Sequence, residues 1–357
     1  MLNSLITPVS TIFIMLGEKC NCNCRYCLQH VTTGLVEEMP QDINPDIYIL
    51  IKELANQRKD KAPLTLQFFG GEPLVYFSSL KEVIKNTEDI SNIRYSMMSN
   101  GKLFDKEKVE YINKHHINVG ISWDGNASSY TRNYNVMKDN IDNILNINDL
   151  WLSAVLSKYA LPQDILNNFK EIQSKREKRI GINIDEIFDT GVPDKDLFDI
   201  DLNKVSEQID NLCKQYIEQL KTNTIDLSNI DMVYIDQLIG YIMSWYKNPK
   251  VITRVRCGAG VTVLNMDLQG NFYNCHNSSL IVGNIYQPYQ DVLDKLNELD
   301  TTSYYYNKEC KDCSAISICR GGCKLVEDKR RKALCDIKKA IAIPILNNIL
   351  KLEKINV

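Results

Sequence analysis

Three absences in this sequence exclude broad classes of protein. The chain of 357 residues has no basic excess, because 42 Lys and Arg stand against 45 Asp and Glu and the net charge is −3. It therefore lacks the basic surface typical of nucleic-acid and anionic-membrane binders. No apolar run approaches the roughly 20 residues of a membrane span. The apolar start, Leu2 to Leu16, lacks the basic n-region and A-x-A-like site of a signal peptide, so we expect a cytoplasmic protein with neither nucleic acid nor membrane as a partner.

Cysteine is absent from residues 28–212 but abundant on either side. A disulfide scaffold would be short, secreted and rich in cysteine throughout, so the clustered thiols of this chain indicate metal binding. Cys213 stands alone beside an apolar helical pattern and is expected to be a buried structural thiol. The other eleven are Cys20, Cys22, Cys24, Cys27, Cys257, Cys275, Cys310, Cys313, Cys319, Cys323 and Cys335.

Strand and helix patterns alternate over the first half of the chain. Segments with apolar residues three or four apart, such as Ile47 to Leu54 and Leu80 to Ile84, separate β-rich apolar runs. The predicted strands are Thr11–Leu16, Leu64–Phe69, Arg94–Met98, Ile117–Trp123, Leu152–Leu156 and Ile180–Ile187. Six β-then-α units in order predict a parallel sheet with right-handed crossovers, either open or curled into a partial barrel.

The second half of the chain has a different sequence pattern. Residues 202–247 have the apolar pattern of helices, with a break near Asn223–Asn229. After Pro249 the sequence is rich in turn residues, glycines and cysteines and has little hydrophobic periodicity. The length suits one large domain and a smaller one, so we expect an α/β domain over 1–200, bridging helices over 201–250 and a cysteine-rich domain over 251–357. The basic stretch 329–332 is most simply a solvated helix face.

Cys20, Cys24 and Cys27 form a C-x3-C-x2-C pattern just after the first predicted strand. Three thiolates this close can hold one face of an iron–sulfur cube and leave the fourth iron without a protein ligand. Zinc is the alternative, but a structural zinc site needs a fourth ligand, and only Cys22 and His30 are near. We expect Cys22 to be a small side chain packed in this cysteine loop (residues 20–27).

Polar turns follow the next three predicted strands. Each turn alone is a weak signal. Loops at the carboxyl ends of successive parallel strands nevertheless meet on one face of the sheet, where such folds place their active sites. Two adjacent glycines also let backbone approach a ligand closely, and Glu72 can accept hydrogen bonds from an ammonium group. The three turns are Gly70-Gly71-Glu72-Pro73, Ser99-Asn100-Gly101 and Ser122-Trp123-Asp124-Gly125.

The cysteine loop, with Tyr26 before its last cysteine, and the G-G-E-P turn together resemble the radical S-adenosylmethionine (SAM) superfamily. The resemblance implies a partial (β/α)6 barrel and a 4Fe–4S cluster on the three loop cysteines, whose open iron chelates the amino and carboxylate groups of SAM. Reduction by a donor such as flavodoxin or ferredoxin would then cleave SAM to methionine and a 5′-deoxyadenosyl radical. The resemblance also implies SAM contacts from Tyr26 at the adenine, from Gly70, Gly71 and Glu72 at the ammonium, from Ser99 and Asn100 near the ribose, and from Ser122 and Asp124 near the cofactor.

The C-terminal cysteines are similar to the seven-cysteine pattern of the SPASM extension of peptide- and protein-modifying radical SAM enzymes. The spacing is Cys257-x12-Gly270-x4-Cys275, then Cys310-x2-Cys313-x5-Cys319-x3-Cys323, then Cys335. The resemblance implies an outer auxiliary 4Fe–4S cluster on Cys310, Cys313, Cys319 and Cys335, and an inner one on Cys257, Cys275 and Cys323. A pair of zinc knuckles is the alternative.

Seven cysteines leave the inner cluster with three thiolates, so we expect one of its irons to be open or exchangeable. A substrate thiolate is one candidate for that position. The candidate protein ligands are His276, Asp267 and Cys213.

Two positions depart from these relatives. Where relatives have a His-Asp pair and an arginine after S-x-D-G, this chain has Tyr130, Thr131 and Tyr134, with Arg132 displaced by two. The arginine that would contact the SAM carboxylate therefore has no direct counterpart. Sulfatase maturases have an aspartate, taken as general base, directly after the second inner-cluster cysteine. This chain has His276, which is the candidate acid or base because imidazole titrates near neutral pH.

These features favour a radical SAM enzyme that modifies a ribosomally synthesised peptide by cross-linking or oxidising a side chain. One alternative is oxidation of Cys or Ser in a protein substrate, as in sulfatase maturases. Another is a non-catalytic iron–sulfur electron carrier or sensor. Many peptide-modifying relatives carry a leader-binding winged-helix segment, which we do not expect here because only residues 1–10 precede the first predicted strand.

Overall fold

Strands alternate with helices along the first half of the chain. The computed structural model describes residues 9–29, 41–58, 62–191, 194–247, 258, 262–300, 310 and 312–353. The strands are β1 Thr11–Met15, β2 Leu64–Phe69, β3 Ile93–Ser99, β4 Asn118–Ser122, β5 Leu150–Leu156, β6 Gly181–Glu186, β7 Val263–Asp267, β8 Asn271–Tyr273 and β9 Ile281–Asn284. All six predicted strands are confirmed, with small differences at their ends.

The helices follow the strands in the expected positions. The α-helices are α1 Asp46–Gln57, α2 Phe77–Lys85, α3 Lys106–Lys114, α4 Ser128–Thr131, α5 Val136–Asp139, α6 Ile141–Leu145, α7 Pro162–Gln173, α8 Leu202–Lys221, α9 Ile230–Lys247, α10 Tyr289–Asp300, α11 Ile316–Cys319 and α12 Arg331–Glu353. Short 3-10 turns occupy Pro73–Tyr76, Gly125–Ala127, Lys195–Phe198 and Asp328–Arg330. The predicted break between two bridging helices is confirmed, since α8 ends at Lys221 and α9 begins at Ile230.

The chain divides into two compact units. In the first, neighbouring strands follow the order β4-β3-β2-β1-β7-β8-β9, and in the second β5 lies beside β6. The first unit comprises Met1–Ser122, Asn133–Trp151 and Cys257–Thr302, and the second comprises Trp123–Arg132, Leu152–Arg256 and Ser303–Val357. The three-domain division expected from the sequence stays a prediction.

The strands β1 to β4 are parallel, which confirms the predicted α/β class. Thr11 lies opposite Thr65 and Met15 opposite Phe69 in the β1–β2 pair, and β3 continues the parallel order on β2 and β4 on β3. Burial alternates along β2, where the side chains of Leu64, Leu66 and Phe68 are fully buried. Because alternate side chains point to opposite faces, one face of this strand packs in the core and the other is more open.

The cysteine-rich segment contributes three strands that the sequence pattern does not predict. Strand β7 pairs in parallel with β1, from Thr11 opposite Val263 to Met15 opposite Asp267. Strands β8 and β9 continue from it as antiparallel neighbours. Strands β8 and β9 are three and four residues long, too short for a period-2 pattern to stand out.

The second unit is built largely from helices. The side chain of Asp201 caps α8 by accepting a hydrogen bond from Lys204 N. Ser206 Oγ donates to the carbonyl oxygen of Ala340 at 3.0 Å and Asn348 Nδ2 donates to Asp210 Oδ1 at 2.7 Å, so α12 is fixed against α8. The expectation of little periodicity after Pro249 is wrong for α12, which extends over 23 residues. Within the described ranges, none of the helices has both the length and the apolar composition of a membrane span.

Candidate active site

The G-G-E-P turn lies directly against the chain that leads into the cysteine loop. Gly71 N donates to the carbonyl oxygen of Gly17 and Glu72 N to that of Lys19, both at 3.0 Å. A Cβ on Gly71 would lie 2.3 Å from the carbonyl oxygen of Lys19, and a Cβ on Gly70, whose φ is +150°, would lie 2.3 Å from that of Gly17. The two glycines are therefore required for contact between two backbone segments, a reason additional to the approach of a ligand.

Glu72 is a buried carboxylate that connects two of the polar turns. Its Oε1 accepts hydrogen bonds from Leu74 N at 3.1 Å and Ser99 Oγ at 2.7 Å, and its Oε2 accepts from Asn100 N at 2.7 Å. Burial raises the pKa of the Glu72 carboxyl above its ordinary value, and these three hydrogen bonds act in the opposite direction. A carboxylate offers about four acceptor positions, so one position remains for a further donor.

The environment of Glu72 favours a cationic ligand. Its exposed fraction is 1%, and no cation contributes to its electrostatic surroundings among the described residues. A buried ionised carboxylate is costly unless it is paired. The remaining acceptor position therefore suits an ammonium donor, as the resemblance implies for the amino group of SAM.

Asn100 extends this network to the cysteine loop. Its Nδ2 donates to Asn21 Oδ1 at 2.7 Å and lies 3.8 Å from Cys20 Sγ. The backbone N of Cys22 donates to the same sulfur at 3.4 Å. Hydrogen bonds to a sulfur tune the properties of the metal centre that it binds. Three of the residues predicted to contact SAM, Glu72, Ser99 and Asn100, thus lie in one connected network with Cys20, a predicted cluster ligand.

The pKa of the Cys20 thiol lies above its ordinary value. The pKa is about 11, because desolvation and the charges of Glu72, Cys22 and Cys27 raise it more than the N–H of Cys22 lowers it. Metal binding at this sulfur must therefore release a proton.

The three predicted ligands of the loop lie at its surface, where a cluster can reach them. Cys20 is exposed, Cys24 and Cys27 are partly exposed, and Cys27 N donates to the carbonyl oxygen of Cys24 at 3.1 Å. Cys22 is also partly exposed and interacts electrostatically with Cys20. Over the described ranges, no group of three or more His, Cys, Asp or Glu is arranged around one metal ion. A 4Fe–4S cluster does not need such an arrangement, because its cysteines ligate separate irons.

Tyr26, predicted at the adenine, is buried within the same loop. Tyr76 is a residue of this region that the sequence pattern does not reveal. Its hydroxyl accepts a hydrogen bond from Lys19 N at 2.7 Å, and its ring fills the space where a Cβ on Gly17 would lie. Tyr76 therefore supports the backbone that enters the cysteine loop, and no motif marks it because these contacts are with backbone.

Asp124, in the turn after β4, accepts at least four hydrogen bonds from described residues. Its Oδ2 accepts from Thr131 Oγ1 at 2.6 Å and Arg132 Nε at 3.0 Å, and its Oδ1 accepts from Arg132 Nη2 at 2.9 Å and Val155 N at 2.9 Å. Both oxygens are thereby engaged, which gives Asp124 a positioning role. Its contact with the cofactor stays a prediction, as does that of Ser122, which is partly exposed at the end of β4. The guanidinium of Arg132 is directed to Asp124.

His276 is held between two aromatic rings. Its ring is stacked on Phe13 with centroids 4.3 Å apart and an interplanar angle of 7°, and it meets Phe69 edge-on at 4.5 Å. Phe13 and Phe69 lie on the more open face of β1 and β2. This aromatic contact fixes the orientation of the imidazole. Its role as an acid or base stays a prediction.

Four of the C-terminal cysteines surround one pocket, which we name the four-cysteine pocket. Burial raises the pKa of the Cys335 thiol, the charges of Cys310 and Cys313 raise it further, and Arg331 lowers it. The four are the residues predicted to hold the outer cluster. The residues that line the pocket are Cys310, Cys313, Ala315, Ile316, Cys319, Gly321, Gly322, Arg331, Leu334, Cys335 and Lys338.

The cysteines predicted for the inner cluster are described only in part. Cys257 lies outside the described residues. Cys275 is buried, and its sulfur accepts a hydrogen bond from Asn277 N at 3.5 Å. Cys323 is partly exposed and does not appear among the described residues that line the four-cysteine pocket. This separation agrees with the predicted division of the cysteines, which stays a prediction.

Two other expectations concern residues near these cysteines. Cys213 is buried, with an exposed fraction of 1%, as expected of a structural thiol. The expectation that residues 329–332 form a solvated helix face is wrong for Arg331, which is buried and lines the four-cysteine pocket. A charge pattern alone does not reveal that one arginine of a basic run turns inward.

Comparison with known proteins agrees with this geometry. The sequence model of the radical SAM superfamily matches residues 14–159. The chain is 27% identical to the radical SAM cyclopropyl synthase TigE of Paramaledivibacter caminithermalis, over 93% of this chain and 73% of that protein. It is 22% identical to the cysteine-type anaerobic sulfatase-maturating enzyme of Clostridium perfringens strain 13, over 90% of each protein.

A solved structure shares the fold. Native anSMEcpe with bound AdoMet and Cp18Cys peptide superposes with a TM-score of 0.67 and 17% identity, over 95% of this chain and 98% of that one. The matched residues 14–159 contain the cysteine loop, Glu72 and Asn100, and such a domain implies SAM and one 4Fe–4S cluster. The comparisons therefore show that residues 14–159 form a radical SAM domain.

Proposed function

We propose that this enzyme modifies a ribosomally synthesised peptide by cross-linking or oxidising one of its side chains. The observation that carries the radical SAM chemistry is Glu72, a buried carboxylate without a cationic partner in the described residues, hydrogen-bonded to two polar turns beside Cys20. Two similarities support the substrate class, namely that to a cyclopropyl synthase and that to a structure solved with a peptide.

The site residues fit the two groups that the superfamily requires. Cys20, Cys24 and Cys27 would each ligate one iron of a 4Fe–4S cluster and leave one iron to SAM. Glu72 would accept a hydrogen bond from the SAM ammonium, with Tyr26 at the adenine, and the other contacts would come from Gly70, Gly71, Ser99, Asn100, Ser122 and Asp124. When bound and reduced, these groups supply the radical that removes a hydrogen atom from the substrate.

The protein residues then have positioning and proton-transfer roles. Ser99 and Asn100 fix both carboxylate oxygens of Glu72, so that the ammonium is bound in one orientation. Fixed geometry matters because a radical reacts with any C–H bond within its reach. His276, held by its aromatic neighbours, would take the substrate proton on a ring nitrogen as the new bond forms.

The C-terminal cysteines would complete the electron path. The four-cysteine pocket would hold the outer auxiliary 4Fe–4S cluster, and Cys257, Cys275 and Cys323 would hold the inner one with an open iron. A flavodoxin or ferredoxin in the cytoplasm would supply the electron for SAM cleavage.

The test begins with SAM cleavage under anaerobic conditions. The reconstituted, reduced enzyme should produce 5′-deoxyadenosine from SAM, and Cys24→Ala should abolish this product. Cys213→Ala is the matched control and should keep it. Absence of the product from the fully reconstituted wild-type chain would favour an electron carrier or sensor instead.

The substrate is then sought among short peptides encoded beside this gene. Incubation with the correct peptide should remove two hydrogens from its mass, and fragmentation should place the loss on a side chain. A product of unchanged mass would contradict cross-linking and oxidation alike.

A second candidate function is oxidation of a Cys or Ser side chain in a protein substrate. The similarity to a sulfatase-maturating enzyme over 90% of both proteins supports it. Such a product carries an aldehyde, which a hydrazide reagent labels, whereas a cross-linked peptide is not labelled. Labelling of a Cys- or Ser-containing protein substrate would therefore decide for this candidate.

A further inference from the structure

A buried ion pair lies beside the four-cysteine pocket. Lys338 of α12 contacts Glu186 at the end of β6, and the exposed fractions of the two side chains are 1% and 4%. Lys338 lines the pocket together with the four cysteines, whereas Glu186 is not one of the described lining residues. Lys338 is therefore the member of the pair that belongs to the pocket wall, and its ammonium is held by Glu186.

This placement of a cation has an energetic cost. Burial of two charges removes their hydration, and replacement of a buried ion pair by apolar residues is often neutral or stabilising. A lysine beside four thiols becomes favourable when those thiols are ionised by metal binding, because opposite charges attract strongly in a poorly hydrated site. Arg331 is a second buried cation of the same wall, paired with the exposed Asp328.

We propose that Lys338, held in place by Glu186, sets the reduction potential of the 4Fe–4S cluster that the four-cysteine pocket would hold, an inference that rests on the proposed function. Addition of one electron increases the negative charge of a centre that four thiolates already make anionic. The Lys338 ammonium stabilises the reduced form more than the oxidised form and raises the potential. Glu186 offsets part of this charge and restricts the ammonium to the pocket wall.

The consequence for the reaction is a defined electron acceptor. After hydrogen abstraction, formation of a bond on the substrate carbon releases one proton and one electron. A raised potential lets the centre in this pocket take that electron. Lys338 is thus a positioning residue for charge and does not itself contact the substrate.

The experiment measures the potential of this centre alone. The full chain is used with four substitutions that remove ligands of the other two clusters, namely Cys20→Ala, Cys24→Ala, Cys275→Ala and Cys323→Ala. The electron paramagnetic resonance signal of the reduced centre in the four-cysteine pocket is then followed during an anaerobic redox titration. Lys338→Met should shift the ratio of reduced to oxidised centre at least tenfold toward the oxidised form, which is about 59 mV for one electron. Glu186→Gln should shift it in the opposite direction.

Three matched variants separate charge from packing. Lys351→Met removes an exposed lysine from the far end of the same helix and should leave the potential unchanged. Lys338→Arg keeps the charge and should stay near the wild-type value. The double variant Lys338→Met/Glu186→Gln contains no unpaired buried charge, so it should fold and still show the lower potential.

The outcomes distinguish this inference from the proposed function. An unchanged potential in the double variant, with iron bound, overturns the role of Lys338 and leaves the proposed function standing. A shift in the same direction in Lys338→Met and Glu186→Gln shows an effect of packing and also overturns it. A pocket that binds no iron overturns the inference together with the auxiliary clusters of the proposed function.

Discussion

We expect Glu72 to couple the protonation of the site to ligand binding. Because burial raises its folded-state pKa above the unfolded value, the contribution of this group to stability is present at low pH and is lost as the pH rises through the folded pKa. An ammonium ligand reverses this preference, because it favours the carboxylate. Binding of SAM should therefore release a proton from Glu72.

The corresponding prediction compares wild type with Glu72→Gln. The wild-type affinity for SAM should fall as the pH drops below the raised pKa. The variant should bind SAM roughly tenfold to hundredfold more weakly at high pH, the cost of a charge-assisted hydrogen bond, and should lack this pH dependence. Calorimetry at several pH values measures both. Titration of the amino group of SAM itself affects binding to both proteins equally. The same pH dependence of SAM affinity in wild type and variant would therefore contradict the assignment of Glu72 to the SAM ammonium.

Cys213 allows a test of the distinction between structural and ligating thiols. Burial raises its pKa to about 12, with a further contribution from Asp210, and alkylating reagents attack the thiolate. We expect iodoacetamide to leave Cys213 unmodified in the folded protein and to modify it after denaturation, as read by mass spectrometry of its peptide. Rapid modification in the folded state would show that the thiol is accessible.

The sequence marks the residues proposed to contact a ligand more clearly than the residues that support them. Glu72 and Ser99 stand in turns whose composition marks them. Tyr76 and Lys338 act through a backbone amide and a buried partner, and neither contact leaves a local pattern. Such partners are set by the packing of distant segments, which single-sequence periodicity does not encode.

The turn after β4 owes its shape to the ion pair between Asp124 and Arg132. The side chain of Asp124 is fully buried and that of Arg132 is 11% exposed. Removal of one partner of a buried pair leaves the other charge unpaired. Arg132→Met should therefore lower the free energy of unfolding by about 3 kcal/mol, measured by urea denaturation of the metal-free protein.

The control for this variant is Lys138→Met, which changes an exposed lysine in the following helix. It should alter the free energy of unfolding by no more than about 0.5 kcal/mol. Equal stability of the two variants would show that the Asp124–Arg132 pair contributes little to the folded state.

The accuracy of the element predictions follows the length and pattern of each element. The first six strands carry alternating or continuous apolar runs between turn residues, and all six are confirmed. Strands β7 to β9 are short and are specified by their pairing with β1 and with one another. Helix α12 contains Pro344, a residue that normally indicates the end of a helix, so its full length is not predicted from local sequence.

The division of the cysteines is a property of the whole chain and is open to direct measurement. The triple variant of Cys20, Cys24 and Cys27 to Ala, and the double variant of Cys310 and Cys335 to Ala, should each bind about four fewer irons per chain than wild type. Cys22→Ala should keep the wild-type iron content. Iron and zinc analysis after reconstitution provides the measurement, and zinc in place of iron in wild type would overturn the cluster assignment.

The pairing of β7 with β1 determines how this protein can be divided. Five residues of β1 have partners on β7, so a truncated chain that ends before residue 251 would leave the amide and carbonyl groups on that side of β1 without partners. An unpaired strand of this kind invites association between copies. The cysteine-rich segment is therefore not a detachable module, and chimeras that exchange it between enzymes need to exchange a matching first strand with it.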